Sequence, residues 1–170
     1  MVGEYTHPTE LSEPTKPMSE HHVLASFGSP DGAGSGDRSG DVLIVEDDLE
    51  INELIGAYVE LCGFACRRII RGADALREAI DRPPLLIVLD VMLPDLDGFE
   101  ICRRLRLDPR TATVPIIMLT ALDQADMRLR AFQCGATEYL TKPFDPDRLM
   151  AVIRQWTQSA SHFRPSVQKE

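Results

Sequence analysis

From Val42 onward, short apolar runs alternate five times with amphipathic stretches, the pattern of a parallel sheet covered by helices. The runs predict strands over 42–45, 64–69, 85–89, 114–119 and 138–141. The third and fourth runs are the most apolar, as strands buried on both faces should be. Helices are predicted between and after them, over 49–61, 73–81, 98–106, 124–134 and 147–156. The last is the clearest: Leu149, Val152, Ile153 and Trp156 follow the i, i+3, i+4, i+7 rule and make one apolar stripe, which puts Trp156 in the core. Gly63 and Gly135 fall just past two predicted helices, where a left-handed C-cap is common.

The first 40 residues carry no such period. They hold six Gly, six Ser and four Pro, and six acids against two basic residues. So few large apolar side chains cannot offset the entropy of ordering a chain, so residues 1–40 are expected to be a disordered tail, either plain solvated chain or the carrier of a docking or localisation motif. Residues 158–170 are expected to be a short frayed end, leaving one domain over 41–157. No stretch after the fifth helix is long enough for an output domain, so a stand-alone module is expected.

Composition then removes several function classes. The chain is 44% hydrophobic and 26% charged, ordinary for a globular protein. No apolar run approaches the roughly 20 residues of a membrane helix, and Met1 to Glu20 lacks the basic start and apolar stretch of a secretory signal; a cytoplasmic location is expected. A net charge of -9 argues against nucleic acid or an anionic membrane as partner, since both call for a basic surface. Cys62, Cys66, Cys102 and Cys134 form no CxxC pair and no histidine lies between residues 41 and 158, so zinc is not expected and the thiols are read as reduced and mostly packed.

In an open parallel α/β sheet the functional crevice lies beyond the carboxyl ends of the strands. Here the first strand runs into Glu46, Asp47 and Asp48, the third into Asp90, the fourth into Thr120 and the fifth into Lys142. Singly each has a plain reading: a helix N-cap with acids in its first turn, a turn residue before Pro94, another N-cap, a solvated lysine. Together, carboxylates gathered at one rim repel one another unless a cation neutralises them. An all-oxygen set favours a hard divalent ion, Mg²⁺ first. Phosphoryl transfer is catalysed mainly by placing positive charge and hydrogen-bond donors around the moving group. In that chemistry Asp90 is the nucleophile, Thr120 donates to a phosphoryl oxygen, Lys142 supplies charge, and Glu46 and Asp47 hold the metal.

Four stretches carry a family resemblance: Val42-Leu43-Ile44-Val45-Glu46-Asp47-Asp48, Ile87-Val88-Leu89-Asp90-Val91-Met92-Leu93-Pro94-Asp95-Leu96-Asp97-Gly98, Ile117-Met118-Leu119-Thr120-Ala121 and Tyr139-Leu140-Thr141-Lys142-Pro143-Phe144. In this order and spacing they resemble the receiver domain of bacterial two-component response regulators, over roughly residues 41–157. The resemblance implies a flavodoxin-like, doubly wound (βα)5 fold whose five-stranded parallel sheet has the order 2-1-3-4-5. It implies Asp90 as phosphoacceptor, Glu46 and Asp47 as the acidic pair for Mg²⁺, and the backbone carbonyl of Met92 as a further metal ligand. Thr120 and Tyr139 match the coupled switch residues. Lys142 matches the lysine that pairs with the acceptor, and Lys142-Pro143 is expected to be cis.

The implied function is a phosphorylation-dependent switch that turns over no external substrate. Its partners are a sensor histidine kinase or a histidine phosphotransfer protein and a downstream protein target, with a phosphorylation-dependent homodimer also open. Its reshaped surface would be helix four, strand five and helix five, with Tyr139 rotating inward. Two departures bear on it. Glu46 stands where Asp is commoner, a longer arm that could reach the metal through water. Met92 and Leu122, two positions after the acceptor and the switch threonine, are apolar and cannot hydrogen-bond an attacking water, so slow loss of phosphate is expected. Competing readings are a haloacid-dehalogenase-type phosphatase, which wants Asp where Met92 stands; a P-loop nucleotidase, for which the glycine-rich motif is missing; a phosphorylation-independent scaffold; and a phosphate sink.

Overall fold

A computed structural model describes residues 40–121 and 125–161, with side chains through residue 158. The tail expected over residues 1–40 lies, Gly40 excepted, outside the described residues, as do Leu122 and everything after Ser161.

The elements follow in strict alternation: β1 (Asp41–Val45), α1 (Leu49–Leu61), β2 (Ala65–Ile69), α2 (Gly72–Asp81), β3 (Leu86–Asp90), α3 (Gly98–Leu107), β4 (Ile116–Thr120), α4 (Ala125–Gln133), β5 (Glu138–Thr141) and α5 (Pro146–Ser161). The strands form one parallel sheet in the order β2-β1-β3-β4-β5, the expected flavodoxin-like topology. Alternating side chains divide the core between its faces. Leu43, Val45, Ile87, Leu89, Ile116 and Met118 face α2, α3 and α4, where Ala79, Phe99, Ile101 and Ala131 meet them. Val42, Ile44, Leu86, Val88, Ile117 and Leu119 face the other way, onto Ile55 and Val59 of α1 and Leu149 and Ile153 of α5. All five residues of β1, β3 and β4 are buried, whereas no residue of the edge strand β2 is fully buried.

The boundaries differ from the sequence reading in instructive places. Val114 and Pro115 precede β4 instead of opening it, although Pro115 still accepts from Ile87 N through its carbonyl, 2.9 Å away; a proline has no N–H to give to a ladder. Phe64 is buried but belongs to the turn out of α1, with its N–H on Val59 O at 3.3 Å. Helix α5 runs on past Trp156, because Thr157 is buried and its hydroxyl donates to Ile153 O at 2.7 Å. Trp156 itself packs at the margin of the core and is only partly buried. Gly63 and Gly135 have φ of 85° and 92° and cap α1 and α4 in the left-handed conformation. All four cysteines are free thiols, Cys62 and Cys102 buried, Cys66 and Cys134 partly so. Among the described residues no helix is long and apolar enough to cross a membrane.

Candidate functional site

The strand ends converge because the strands are parallel and in register. Val45 pairs with Leu89, Asp90 with Leu119, and Thr120 with Thr141, so Glu46, Asp90, Thr120 and Lys142 arrive at one rim. Backbone bonds extend that register past the strands: Glu46 N donates to Ile69 O at 3.1 Å and Lys142 N to Thr120 O at 2.8 Å. The Lys142-Pro143 bond is cis. After Asp90 the chain turns back sharply enough for Gly98 N to reach Val91 O at 2.9 Å. A Cβ on Gly98 would lie 2.3 Å from Asp90 O, so only glycine fits there.

Carboxylate oxygens of Glu46, Asp47 and Asp90 lie within 4.8 Å of one another. Glu46 and Asp90 are buried and Asp47 is exposed, so the cluster has a dry floor and an open side. Lys142 Nζ bridges the two buried acids, 2.6 Å from Glu46 Oε2 and 2.9 Å from Asp90 Oδ2. The second oxygen of Asp90 accepts from Met92 N at 3.2 Å. Burial pushes the Glu46 carboxyl up to about 7, with the neighbouring Asp90 charge acting the same way and the Lys142 ammonium opposing both. Burial alone would lower Lys142, but its hydrogen bonds to Glu46 and Asp90 prevail and hold it above the usual lysine range. The ammonium is therefore charged, yet one cation faces three carboxyl groups. That imbalance, with oxygen donors only, fits a hard divalent cation such as Mg²⁺.

Thr120 is fully buried at the end of β4. Tyr139 is buried too, inside the core on the α4 side, with the Arg128 guanidinium 6.0 Å from its ring centroid. Its ring is already inward in this structure, where the sequence leads to an inward rotation only on phosphorylation.

The three acids after β1 divide their work. Asp48 is the N-cap of α1, its Oδ1 accepting from Glu50 N at 2.9 Å and Ile51 N at 3.1 Å, while Glu46 and Asp47 join the cluster. Several residues of the site carry no signal in the sequence. Asp95 caps α2 across the chain, accepting from Gly72 N at 2.9 Å and Ala73 N at 3.0 Å, and those bonds hold its carboxyl below the usual range. Asp97 caps α3 through Phe99 N and pairs with Arg130 of α4 at 3.3 Å. The Arg130 guanidinium lies 4.3 Å from the Phe99 ring centroid, tying α4 to the loop that follows Asp90. Asn52 of α1 reaches back to Glu46 O at 2.7 Å and Ile69 O at 3.2 Å. Asp95 and Asp97 stand inside the motif around Asp90, but the partners that tie them to α2 and α4 lie 22 to 33 residues away in sequence.

Residues 42–154 match the response regulator receiver domain family. The DNA-binding dual master transcriptional regulator RpaA of Synechocystis is 42% identical over 113 residues, covering 66% of this chain and 47% of the relative. The transcriptional regulatory protein GltR of Pseudomonas aeruginosa is 47% identical over 114 residues, covering 66% and 47%. The chain thus spans about half the length of these curated relatives. Among solved structures, a putative response regulator from Chloroflexus aurantiacus superposes with a TM-score of 0.67 at 34% identity, covering 70% of this chain and 98% of that one. The receiver domain of a signal transduction histidine kinase from Syntrophus aciditrophicus gives 0.68 at 30% identity, covering 77% and 98%. The parallel sheet, the acidic rim and these matches agree: the chain belongs to the receiver domains of response regulators, the phosphorylation-based signalling modules of two-component systems.

Proposed function

We propose that Asp90 accepts a phosphoryl group from the phosphohistidine of a sensor histidine kinase or a histidine phosphotransfer protein. One Asp90 carboxylate oxygen attacks phosphorus, the nitrogen–phosphorus bond of the donor breaks, and the electron pair returns to the imidazole. Glu46, Asp47, Asp90 and the Met92 carbonyl would hold Mg²⁺, which neutralises charge on the phosphoryl oxygens when bound. Lys142, charged and already on Asp90, follows the acceptor and pairs with a phosphoryl oxygen. The buried Thr120 hydroxyl donates to another. The observation that carries the reading is the Lys142 bridge between two buried carboxylates at neighbouring strand ends, with Asp47 open to solvent beside them.

In this reading residues 41–157 are the signalling unit, with α5 continuing to Ser161. Drawing Thr120 toward phosphate would hold Tyr139 in the inward position it already occupies and shift the population toward one arrangement of the α4, β5 and α5 surface, which a downstream protein or a second copy reads. The net charge of -9 for the whole chain supports protein partners over nucleic acid. The protein later hydrolyses its own acyl phosphate and turns over no other substrate.

Intact-mass analysis after incubation with Mg²⁺ and acetyl phosphate tests the proposal, beside an Asp90→Asn variant and an EDTA control. A single phosphoryl adduct that needs both Asp90 and metal is expected. No adduct, here or with candidate kinases, would leave a phosphorylation-independent scaffold as the reading. An adduct with no change at the α4-β5-α5 surface would instead favour a phosphate sink.

A further inference from the structure

Helix α1 buries four residues against the sheet, Asn52, Ile55, Gly56 and Val59, and Asn52 is the one that carries a polar side chain. An amide in an apolar interface is unfavourable unless its hydrogen bonds compensate. Its nitrogen makes two, to Glu46 O at 2.7 Å and to Ile69 O at 3.2 Å, and its Oδ1 is buried with no hydrogen-bond partner among the described residues. The side chain is therefore placed for its donor. Ile69 O also accepts from Glu46 N at 3.1 Å, and Asn52 N closes the first turn of α1 on Asp48 O at 2.9 Å.

These bonds flank the peptide group between Glu46 and Asp47, and the one from Asn52 to Glu46 O lies on it. The peptide unit is planar, so a carbonyl held in one direction fixes the opposing N–H and the direction in which the next Cα leaves. With Glu46 N on Ile69 and Glu46 O on Asn52, both backbone polar groups of Glu46 are fixed, and so is the start of Asp47. Glu46 and Asp47 are adjacent in sequence and would point to opposite sides of a regular strand, yet their carboxylates share one cluster. The chain must break from strand geometry between them, and Asn52 grips the atom at that break.

We infer that Asn52 is a positioning residue for the acidic pair: its side-chain amide locks the Glu46–Asp47 peptide so that both carboxylates face one cation. The inference rests on the proposed Mg²⁺ chemistry of the site. Asn52 touches neither substrate nor metal in this role; it acts through Glu46 and Asp47, as the hydrogen-bonded partners of metal ligands do elsewhere.

The test is Asn52→Leu, which keeps the branching at Cγ and removes the donor, measured by the Mg²⁺-dependent rise in thermal midpoint and by Asp90 adduct formation across a Mg²⁺ titration. Affinity for Mg²⁺ should weaken on the order of tenfold, as is usual when such a partner is lost. Adduct formation should shift to correspondingly higher Mg²⁺ and recover at saturation. A purely structural role would lower the midpoint of the metal-free protein and leave Mg²⁺ affinity unchanged, and that result overturns the inference. If Asn52→Leu does not fold, Asn52→Ala removes the same donor without the bulk, and the same two readouts decide. A wild-type protein that neither binds Mg²⁺ nor forms the adduct would defeat the proposed function first and this inference with it. Wild-type behaviour in the wild type together with unchanged affinity in the variant defeats the inference alone.

Discussion

Replacing Gly98 by alanine adds one methyl group to the protein, at the point where the chain after Asp90 folds back on itself. The new Cβ would sit 2.3 Å from Asp90 O, 2.7 Å from Val91 Cα and 3.1 Å from Asp90 C, all backbone atoms of the phosphoacceptor segment. No rotamer change relieves such contacts, so β3 and the start of α3 must separate. Overpacking of this kind costs typically about 1–3 kcal/mol, and Gly→Ala returns roughly 0.4–1 kcal/mol through the unfolded chain. The net expectation is a loss of about 1–2 kcal/mol. Gly56 in α1 gives the matched control. There the added Cβ meets only side-chain atoms, Arg68 Cδ at 3.3 Å and Cys66 Sγ at 3.6 Å, and Arg68 is long and able to yield. Gly56→Ala should therefore stabilise, by up to about 1 kcal/mol from helix propensity. Urea denaturation of both variants reads the pair, with midpoints moving in opposite directions at unchanged m. Gly98→Ala should also slow Asp90 phosphorylation, because the carbonyl it displaces belongs to the nucleophile. Equal midpoints for the two variants, or a Gly98→Ala protein that takes phosphate at the wild-type rate, would refute the steric reasoning.

Lys142→Met removes the ammonium between two buried carboxylates; the metal-free protein should lose several kcal/mol, on the order of a broken buried pair, and Mg²⁺ should raise its thermal midpoint more than it raises that of the wild type. Burial pushes the Cys102 thiol from 9.0 to about 11, so the unfolded chain releases a proton that the folded one keeps. Stability should then fall as pH rises from about 9 through 11, by roughly 2–3 kcal/mol for a shift of that size. A Cys102→Ala variant should show a flatter profile in the same denaturation series. The Asp90 phosphate should persist well beyond seconds, since Met92 is apolar, and its side chain is 59% exposed beside the acceptor; Met92→Asn should shorten that lifetime, measured by intact mass after the phosphodonor is removed.

The fold and the acidic rim were legible because each rests on local pattern. Five apolar runs at βα spacing dictate a parallel sheet, and parallel strands in register carry Glu46, Asp90, Thr120 and Lys142 to one edge whatever the helices do. What could not be read were the bonds that cross between elements. Asp95 looks like a turn acid until Gly72 N and Ala73 N are seen on it, and Asn52 looks like a polar residue on a helix until its nitrogen is found on Glu46 O. Both are short polar side chains whose partners depend on how two helices seat on the sheet. The misplaced start of β4 has a different origin: Val114 extends the apolar run, and periodicity alone does not register that Pro115 lacks an N–H.

A surface that one phosphoryl group is to reshape must be held by less free energy than that group can redirect. The helices are unequal in this respect. Four residues of α1 are buried, and Leu149, Val152 and Ile153 anchor α5, whereas along the whole of α4 Ala131 alone is buried, and Leu129 and Phe132 stand exposed. Each buried aliphatic side chain contributes roughly 1.5–3 kcal/mol, so α4 is anchored by several kcal/mol less than α1 or α5, and only α2, which buries Gly72, Ala75 and Ala79, is comparably light. Much of what holds it is Arg130, through its pair with Asp97 and its stack on Phe99, contacts worth about 1 kcal/mol together at a surface half open to water. Those contacts run to the loop that Gly98 pins against Asp90. The proposed signal thus has two short routes to a lightly anchored helix, from Thr120 toward Tyr139 and from Asp90 through Asp97 to Arg130. On this proposal the low cost of moving α4 would let a change at a buried carboxylate appear at the surface.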